Sequence, residues 1–222
     1  MCSKKTKKMT EQELKILAKN LANPEGEIGK DIAKMMNETN ISMTKETIKA
    51  LLLLDNETVL ELGHGNAGHL SYLLDFAENI NYTGLEISET MKTEAGTINQ
   101  KYLSQAQFQL YDGKNIPFGN ESFDKIMTVN TIYFWENPVD FLNEIYRVLK
   151  EHGSFVLTFA DKDFMKTLPF TSDFKLYNYE DIELLISQTN FKRMIKSHKE
   201  EFITSKSGES VKREYKVLTI KK

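Results

Sequence analysis

The sequence predicts an α/β protein: a mostly parallel sheet with helices on both faces, closed by a C-terminal antiparallel hairpin and preceded by a helical extension. Three observations carry the prediction. Short apolar runs alternate with helical patterns between Thr58 and Phe159, which implies a parallel sheet covered on both sides. Residues 192–220 abandon that alternation for two strand-like stretches around a polar turn. Residues 1–50 carry helical signals only.

Taken in order, Thr10 and Glu13 form the pattern of a capping box, and Leu14, Leu17, Ala18 and Leu21 recur at helical spacing. Asn23-Pro24-Glu25-Gly26 breaks that helix. Two more helices are expected, over Ile28–Met36 and Thr44–Leu54. The alternation then begins: a strand at Thr58–Leu62, a helix over Gly68–Ala77, and a strand at Tyr82–Glu86 followed by a helix with Ser88 as N-cap. Phe108–Tyr111 and Phe123–Val129 are the next strands. Asn137-Pro138 opens an amphipathic helix ending near Glu151, since proline suits the first helical position. Gly153 leads into the strand Phe155–Phe159. A helix capped by Asn178 runs over Tyr179–Thr189. Lys192–Ile203, the turn Ser205–Ser210 and Tyr215–Ile220 make the hairpin. The expected division is a helical extension or lid over 1–50 and an α/β domain over 51–222.

Composition narrows the function. The chain has 222 residues, 40% apolar and 10% aromatic, enough to bury one domain core. No apolar run approaches the roughly 20 residues needed to span a bilayer. The single cysteine, Cys2, rules out an internal disulfide and fits a cytoplasmic location. A net charge of −3 gives no global pull toward nucleic acid. The Lys4, Lys5, Lys7, Lys8 cluster reads as a solvated terminus or as a small RNA-binding arm.

The strongest local signal is Glu61-Leu-Gly-His-Gly-Asn-Ala-Gly68, a glycine loop between a strand and a helix. Gly63, Gly65 and Gly68 satisfy G-x-G-x-x-G, with Glu86 at the second-strand position expected of a dinucleotide site. Three neighbours favour a different ligand. Glu61 is awkward beside a pyrophosphate but suits a cationic amino-acid end and a sulfonium. Asp112-Gly113 after the third strand offers an acceptor for an adenine amino group. Asn130-Thr131 ends the fourth strand at the edge where open α/β sheets bind ligands.

Val59–His69 resembles the first motif of class I S-adenosylmethionine-dependent methyltransferases. Tyr82–Met91 resembles their second motif, Asp112–Phe118 with Phe123-Asp124 their adenine segment, and Phe141–Lys150 with Gly153 the passage into their fifth strand. The pattern is similar to small-molecule enzymes of the ubiquinone and menaquinone type. The family's Rossmann-like, seven-stranded sheet ends in the same kind of hairpin. The resemblance implies S-adenosylmethionine as cofactor, with S-adenosylhomocysteine as product. It places Glu61 at the methionine end, Gly63, Gly65 and Asn66 in the loop beneath it, and Glu86 on the ribose hydroxyls. Ile87 and Met91 would pack on adenine, Asp112 and Gly113 would sit by its amino group, and Asn130 would line the methionine side. Ala67 departs from the family's third glycine, and His64 from a position usually small or apolar.

Methyl transfer is an in-line displacement in which most catalysis comes from alignment and desolvation. A base is needed only where the acceptor must lose a proton. Tyr133 and His64, with His69, are candidates by position, Tyr133 and Trp135 serving equally well as pocket walls. Asn130-Thr-Ile-Tyr133 lacks both prolines of the N-P-P-Y motif used on nucleic-acid amines, which favours a small-molecule acceptor. The four histidines show no metal-ligand spacing, so no metal is expected. Specificity is expected from residues 1–50 and 161–177, whose methionines and aromatics suit a partly hydrophobic acceptor. Three other readings stand: an NAD-dependent oxidoreductase, a non-catalytic S-adenosylmethionine-binding protein, and methylation of RNA or protein through the lysine arm. Acceptor identity and oligomeric state are not encoded in any motif found.

Overall fold

The structure is a computed structural model and describes residues 9–204 and 210–222. Cys2, the lysine cluster and residues 205–209 of the expected turn lie outside the described residues. Helix α1 (Glu11–Ala22) starts at the expected capping box: Glu13 N–H donates to Thr10 Oγ1, and Thr10 N–H donates to Glu13 Oε2 at 2.7 Å. The break at Pro24 separates it from α2, but α2 is one helix, Gly26–Leu51, where two had been expected. The weak helix formers between Met36 and Thr44 are held in place from outside and within. The Thr39 and Thr44 hydroxyls bond back to carbonyls one turn earlier. Arg213 donates to Asn40 Oδ1 and to the Thr39 carbonyl. Tertiary bonding here overrides propensity.

The alternation follows: β1 (Thr58–Leu62), α3 (Leu70–Leu74), β2 (Asn81–Glu86), α4 (Glu89–Ile98), β3 (Ala106–Leu110), β4 (Phe123–Val129), α5 (Pro138–Val148) and β5 (Leu149–Ala160). Ser88 caps α4, accepting from Met91 N–H at 3.1 Å. Pro138 opens α5 as expected, although the Asn137 side chain makes no capping bond. That helix stops at Val148, earlier than expected, because Leu149 is already extended and pairs with Phe123. The pairing of β4 with β5 then shifts register before Lys125 meets Ser154, with His152 in the left-handed region. Short α6 (Lys162–Lys166) and α7 (Tyr179–Ile186), the latter with an Asn178–Asp181 capping box, lead to β6 (Arg193–Thr204) and β7 (Ser210–Lys221).

The seven strands run in the order β3-β2-β1-β4-β5-β7-β6. The first five are parallel; β7 is antiparallel to both β5 and β6. The chain reverses its direction of progress between β1 and β4, where open α/β sheets bind ligands at the carboxyl edge. The core is continuous from Val59 and Leu60 in β1 through Ile126 and Phe155 to Leu218 and Ile220 in β7. The C-terminal half of α2 packs into it through Met43, Ile48 and Leu51, all essentially unexposed. The N-terminal half of the same helix reaches over the glycine loop.

Candidate cofactor site

The carboxyl edge of β1 and β2 presents two buried carboxylates. Glu61, near the end of β1, lies opposite Gly84 in register, so Tyr82, two residues back along β2, shares its face of the sheet. Glu61 Oε2 accepts from Tyr82 Oη–H at 2.6 Å and lies 2.8 Å from His69 Nε2. Among the described residues no hydrogen bond reaches the other oxygen, Oε1. Burial pushes the Glu61 carboxyl up, but the His69 charge and the two hydrogen bonds outweigh it and hold the group below its usual range. His69 is correspondingly held above its ordinary value: burial works against its charge, and Glu61 more than compensates.

Glu86, the last residue of β2, is held by the backbone instead. Gly65 N–H donates to its Oε2 at 2.9 Å, while Ile87 and Ser88 N–H donate to Oε1 at 2.8 and 3.2 Å. Three donors leave lone-pair capacity for one more. Burial dominates here and pushes the Glu86 carboxyl up despite those donors.

The glycine loop between them has the backbone that the motif demands. Gly63 has φ +72° and Gly65 φ +57°. A Cβ on Gly63 would lie 2.5 Å from Thr131 Cγ2, so the loop and the end of β4 touch through that hydrogen-only position. A Cβ on Gly65 would meet nothing within 4 Å. Open space over Gly65, spare capacity on Glu86 and the undonated Glu61 Oε1 together fit an amino-acid-nucleoside cofactor bearing an ammonium and a ribose. Ala67 also adopts φ +49°, doing the work of the expected glycine at the cost of left-handed strain. Asn66 does not face open space: its Oδ1 accepts from Gly68 N–H and from Asn37 of α2.

The other expected residues fall into two groups. Ile87 is 41% exposed and touches the Gly113 position, 3.3 Å from where a Cβ would stand. Asp112 is exposed in a turn of its own making, Oδ1 accepting from Lys114 and Asn115 N–H. Those N–H groups and the Asn115 side chain hold its carboxyl below the usual range. Asn130, in the left-handed region at φ +59°, accepts from Ala160 N–H at 3.0 Å and points its amide toward Met43 Sδ. Met91, on the buried face of α4, is fully enclosed.

The two residues expected as bases, His64 and Tyr133, are both buried. The His64 ring lies over Gly84, where a Cβ would come within 2.5 Å of its Cδ2, and packs on Phe108 with centroids 5.1 Å apart. Neither ring nitrogen has a partner among the described residues, and burial pushes its pKa down to about 4. A neutral imidazole packed on the sheet is not aimed at a reacting group. The Tyr133 hydroxyl lies 3.0 Å from the Ala160 carbonyl and 3.1 Å from Asn130 Oδ1, and burial raises its pKa far beyond the working range of a base. Its role is to fix Asn130.

The link of Tyr82 to Glu61 escaped the sequence reading, although strand alternation would have exposed it once β1 and β2 were paired. Asn37 carried no sequence signal. Nor did the entry into α2, which closes over α4: Ser88 Oγ–H donates to the Pro24 carbonyl, Gly26 N–H donates to Thr90 Oγ1, and Lys30 lies 3.4 Å from Glu94. Among the described residues, ligand atoms of His198, Glu200 and Glu214 also converge on the exposed face of the hairpin. Lys212 stands 2.8 Å from Glu200, and Lys216 stands 2.6 Å from His198 Nδ1, so ammonium groups fill the places a cation would take.

The family model of a methyltransferase domain matches residues 60–157, the span from β1 to β5. Over that span the chain is similar to methyltransferase domains. It is 26% identical over 159 residues to the Bacillus subtilis methyltransferase YdaC, covering 68% of this chain and 86% of that one. It is 32% identical over 108 residues to the phthiotriol/phenolphthiotriol dimycocerosates methyltransferase of Mycobacterium leprae, covering 49% of this chain but only 38% of that protein. A solved S-adenosylmethionine-dependent methyltransferase from Aquifex aeolicus superposes with a TM-score of 0.64 at 19% identity, over 84% of this chain and 96% of that one. S-adenosylmethionine is the cofactor named for the Aquifex aeolicus protein, and the likeness to it is one of fold. No helix among the described residues is long and apolar enough to cross a membrane.

Proposed function

We propose that this protein transfers a methyl group to a small, partly hydrophobic acceptor held between Asn130, Tyr133 and the 161–177 segment. The observation that carries the proposal is the aromatic group beside Asn130. Phe174 stacks on Tyr133 with rings 15° from parallel and meets Phe134 edge-on at 4.8 Å. Phe174 also lines a cavity of about 340 Å³ with Leu168, Pro169 and Leu176. That space, also bordered by Lys166, Thr171 and Ser172, offers apolar walls beside polar groups, which suits a partly hydrophobic ligand. The dimycocerosates named for the Mycobacterium leprae relative are in keeping with that chemistry.

Glu61 Oε1 is assigned to the cofactor's ammonium, and Glu86 to a ribose hydroxyl. Ile87 and Gly113 border the adenine, with Asp112 beside them. When bound, S-adenosylmethionine supplies a methyl group already activated on a sulfonium. The chain's own work is therefore placement. Asn130, fixed by Ala160 N–H and Tyr133, presents its amide at the carboxyl edge of β4. The entry to α2 and Asn37 cover the loop and exclude water. The net charge of −3 does not favour nucleic acid, and the single cysteine favours a cytoplasmic setting.

The test is calorimetric titration with S-adenosylhomocysteine and with NAD, followed by a methyl-transfer screen of hydroxylated lipids, small amines and short RNA. Binding of S-adenosylhomocysteine alone and turnover on the lipid set are expected. Turnover confined to RNA would overturn the acceptor proposal.

A further inference from the structure

Glu61 is held by two side chains with no other assigned role, and one of them is a histidine, the side chain whose ordinary pKa lies nearest neutrality. His69 and Glu61 are both almost completely enclosed, with side chains 6% and 3% exposed and a 2.8 Å contact. In that enclosure a lone carboxylate is costly, and a cationic partner offsets the cost. The same carboxylate is the group to which the cofactor reading assigns an ammonium, and the inference rests on that reading. Two cations on one buried carboxylate repel each other, so the site has room for one.

We propose that His69 is a positioning residue whose imidazolium neutralises Glu61 in the empty enzyme, and that cofactor binding expels the Nδ1 proton of His69 to solvent. The N–H bond at Nδ1 breaks and its electron pair stays on the ring. Nε2 keeps its hydrogen and its bond to Glu61, because a neutral imidazole still has one donor nitrogen. Glu61 is therefore aimed identically in both states while its counter-charge changes from imidazolium to ammonium.

The surrounding groups single out His69. Tyr82 donates to the same Glu61 oxygen, and burial holds it protonated well above its ordinary value. Burial pushes the Tyr111 phenol up as well. His64 is pushed down to about 4 and stays neutral. Glu86, raised by burial, is the one other group nearby able to exchange a proton, and a His69 variant separates the two. His69 itself is held above its ordinary value by Glu61, against the effect of burial.

The sign follows from linkage: binding that releases a proton tightens as pH rises through the His69 pKa. S-adenosylhomocysteine is titrated into the full chain between pH 6.5 and 8, each time in two buffers of different ionisation heat. Wild type is expected to release a fraction of a proton and to bind about fivefold to tenfold more tightly at pH 8, the limit for one linked proton being about tenfold per unit. His69→Gln keeps a donor for Glu61 but cannot titrate, so its affinity is expected to be flat with pH and without proton release. Wild-type binding with no proton release overturns the proposal even if the variant fails to fold. So does a variant that keeps the wild-type pH slope, which would assign the proton to Glu86. No binding by wild type at any pH would overturn the cofactor assignment of Glu61 first, and this inference with it.

Discussion

The two ends of the cofactor cleft hold the same kind of group by opposite means. At the methionine end Glu61 is held by side chains, Tyr82 and His69, and sits below its usual pKa. At the ribose end Glu86 is held by three backbone N–H groups and sits above its usual pKa. The difference lies in what each donor brings. A protonated histidine brings a full charge that answers burial, whereas peptide dipoles bring partial charges that do not fully answer it. On the proposed assignment, Glu86 accepts a neutral hydroxyl and Glu61 exchanges one cation for another.

Removing Glu86 should have the largest effect. Glu86→Ala deletes the charged acceptor assigned to the ribose, a carboxylate with capacity for one hydroxyl; at about 1.5–3 kcal/mol for that hydrogen bond, S-adenosylhomocysteine affinity should fall about 10- to 100-fold by calorimetry. Glu61→Gln keeps a polar partner for Tyr82 but loses the charge, and about a tenfold loss of affinity at pH 7 is expected. An effect of Glu61→Gln larger than that of Glu86→Ala would reverse the division drawn here.

The glycines sharpen the contrast on the stability axis. Gly63→Ala forces a left-handed alanine against Thr131 Cγ2, while Gly65→Ala is left-handed in open space. Both should lower stability, by about 1–3 kcal/mol for backbone strain, with Gly63→Ala the worse in thermal melts. Direct titration of the carboxyls by side-chain carbon NMR should place Glu61 below 4.5 and Glu86 above it. Glu61 then contributes stability above about pH 4.5 that fades as pH falls through its folded value. Glu86 subtracts stability as pH rises from 4.5 through its raised one. The smallest change is expected from Tyr133→Phe, about 1 kcal/mol of stability and less than a tenfold loss of turnover. A loss of several orders of magnitude would restore Tyr133 as a base.

Much of this cleft was legible in one dimension. A buried strand, a turn that must take positive φ and a carboxylate at each strand end are local demands, and Glu61, Gly63, Gly65 and Glu86 stand at the expected places. What escaped depends on neighbours far along the chain. His64 looked titratable in the loop, but Gly84 leaves room for its ring on the sheet. Met91, which the family resemblance set beside adenine, is fully buried. Separate helices over Ile28–Met36 and Thr44–Leu54 were expected, and Arg213, remote in sequence, binds the stretch between them, which is helical. Propensity is a local quantity; burial and capping from afar are not.

Arg213 also sets an order of events during synthesis. The guanidinium that secures the middle of α2 lies on the last strand, more than 170 residues from the carbonyl it binds. Until that strand emerges and inserts beside β5, the helix over the glycine loop lacks its anchor, and Met43, Ile48 and Leu51 wait for the far half of their binding surface. Such long-range closure is slow to form and leaves apolar surface uncovered in the nascent chain. A truncation that spares every cofactor-binding residue but removes β7 should therefore aggregate as it leaves the ribosome, even though the complete cleft is already encoded upstream.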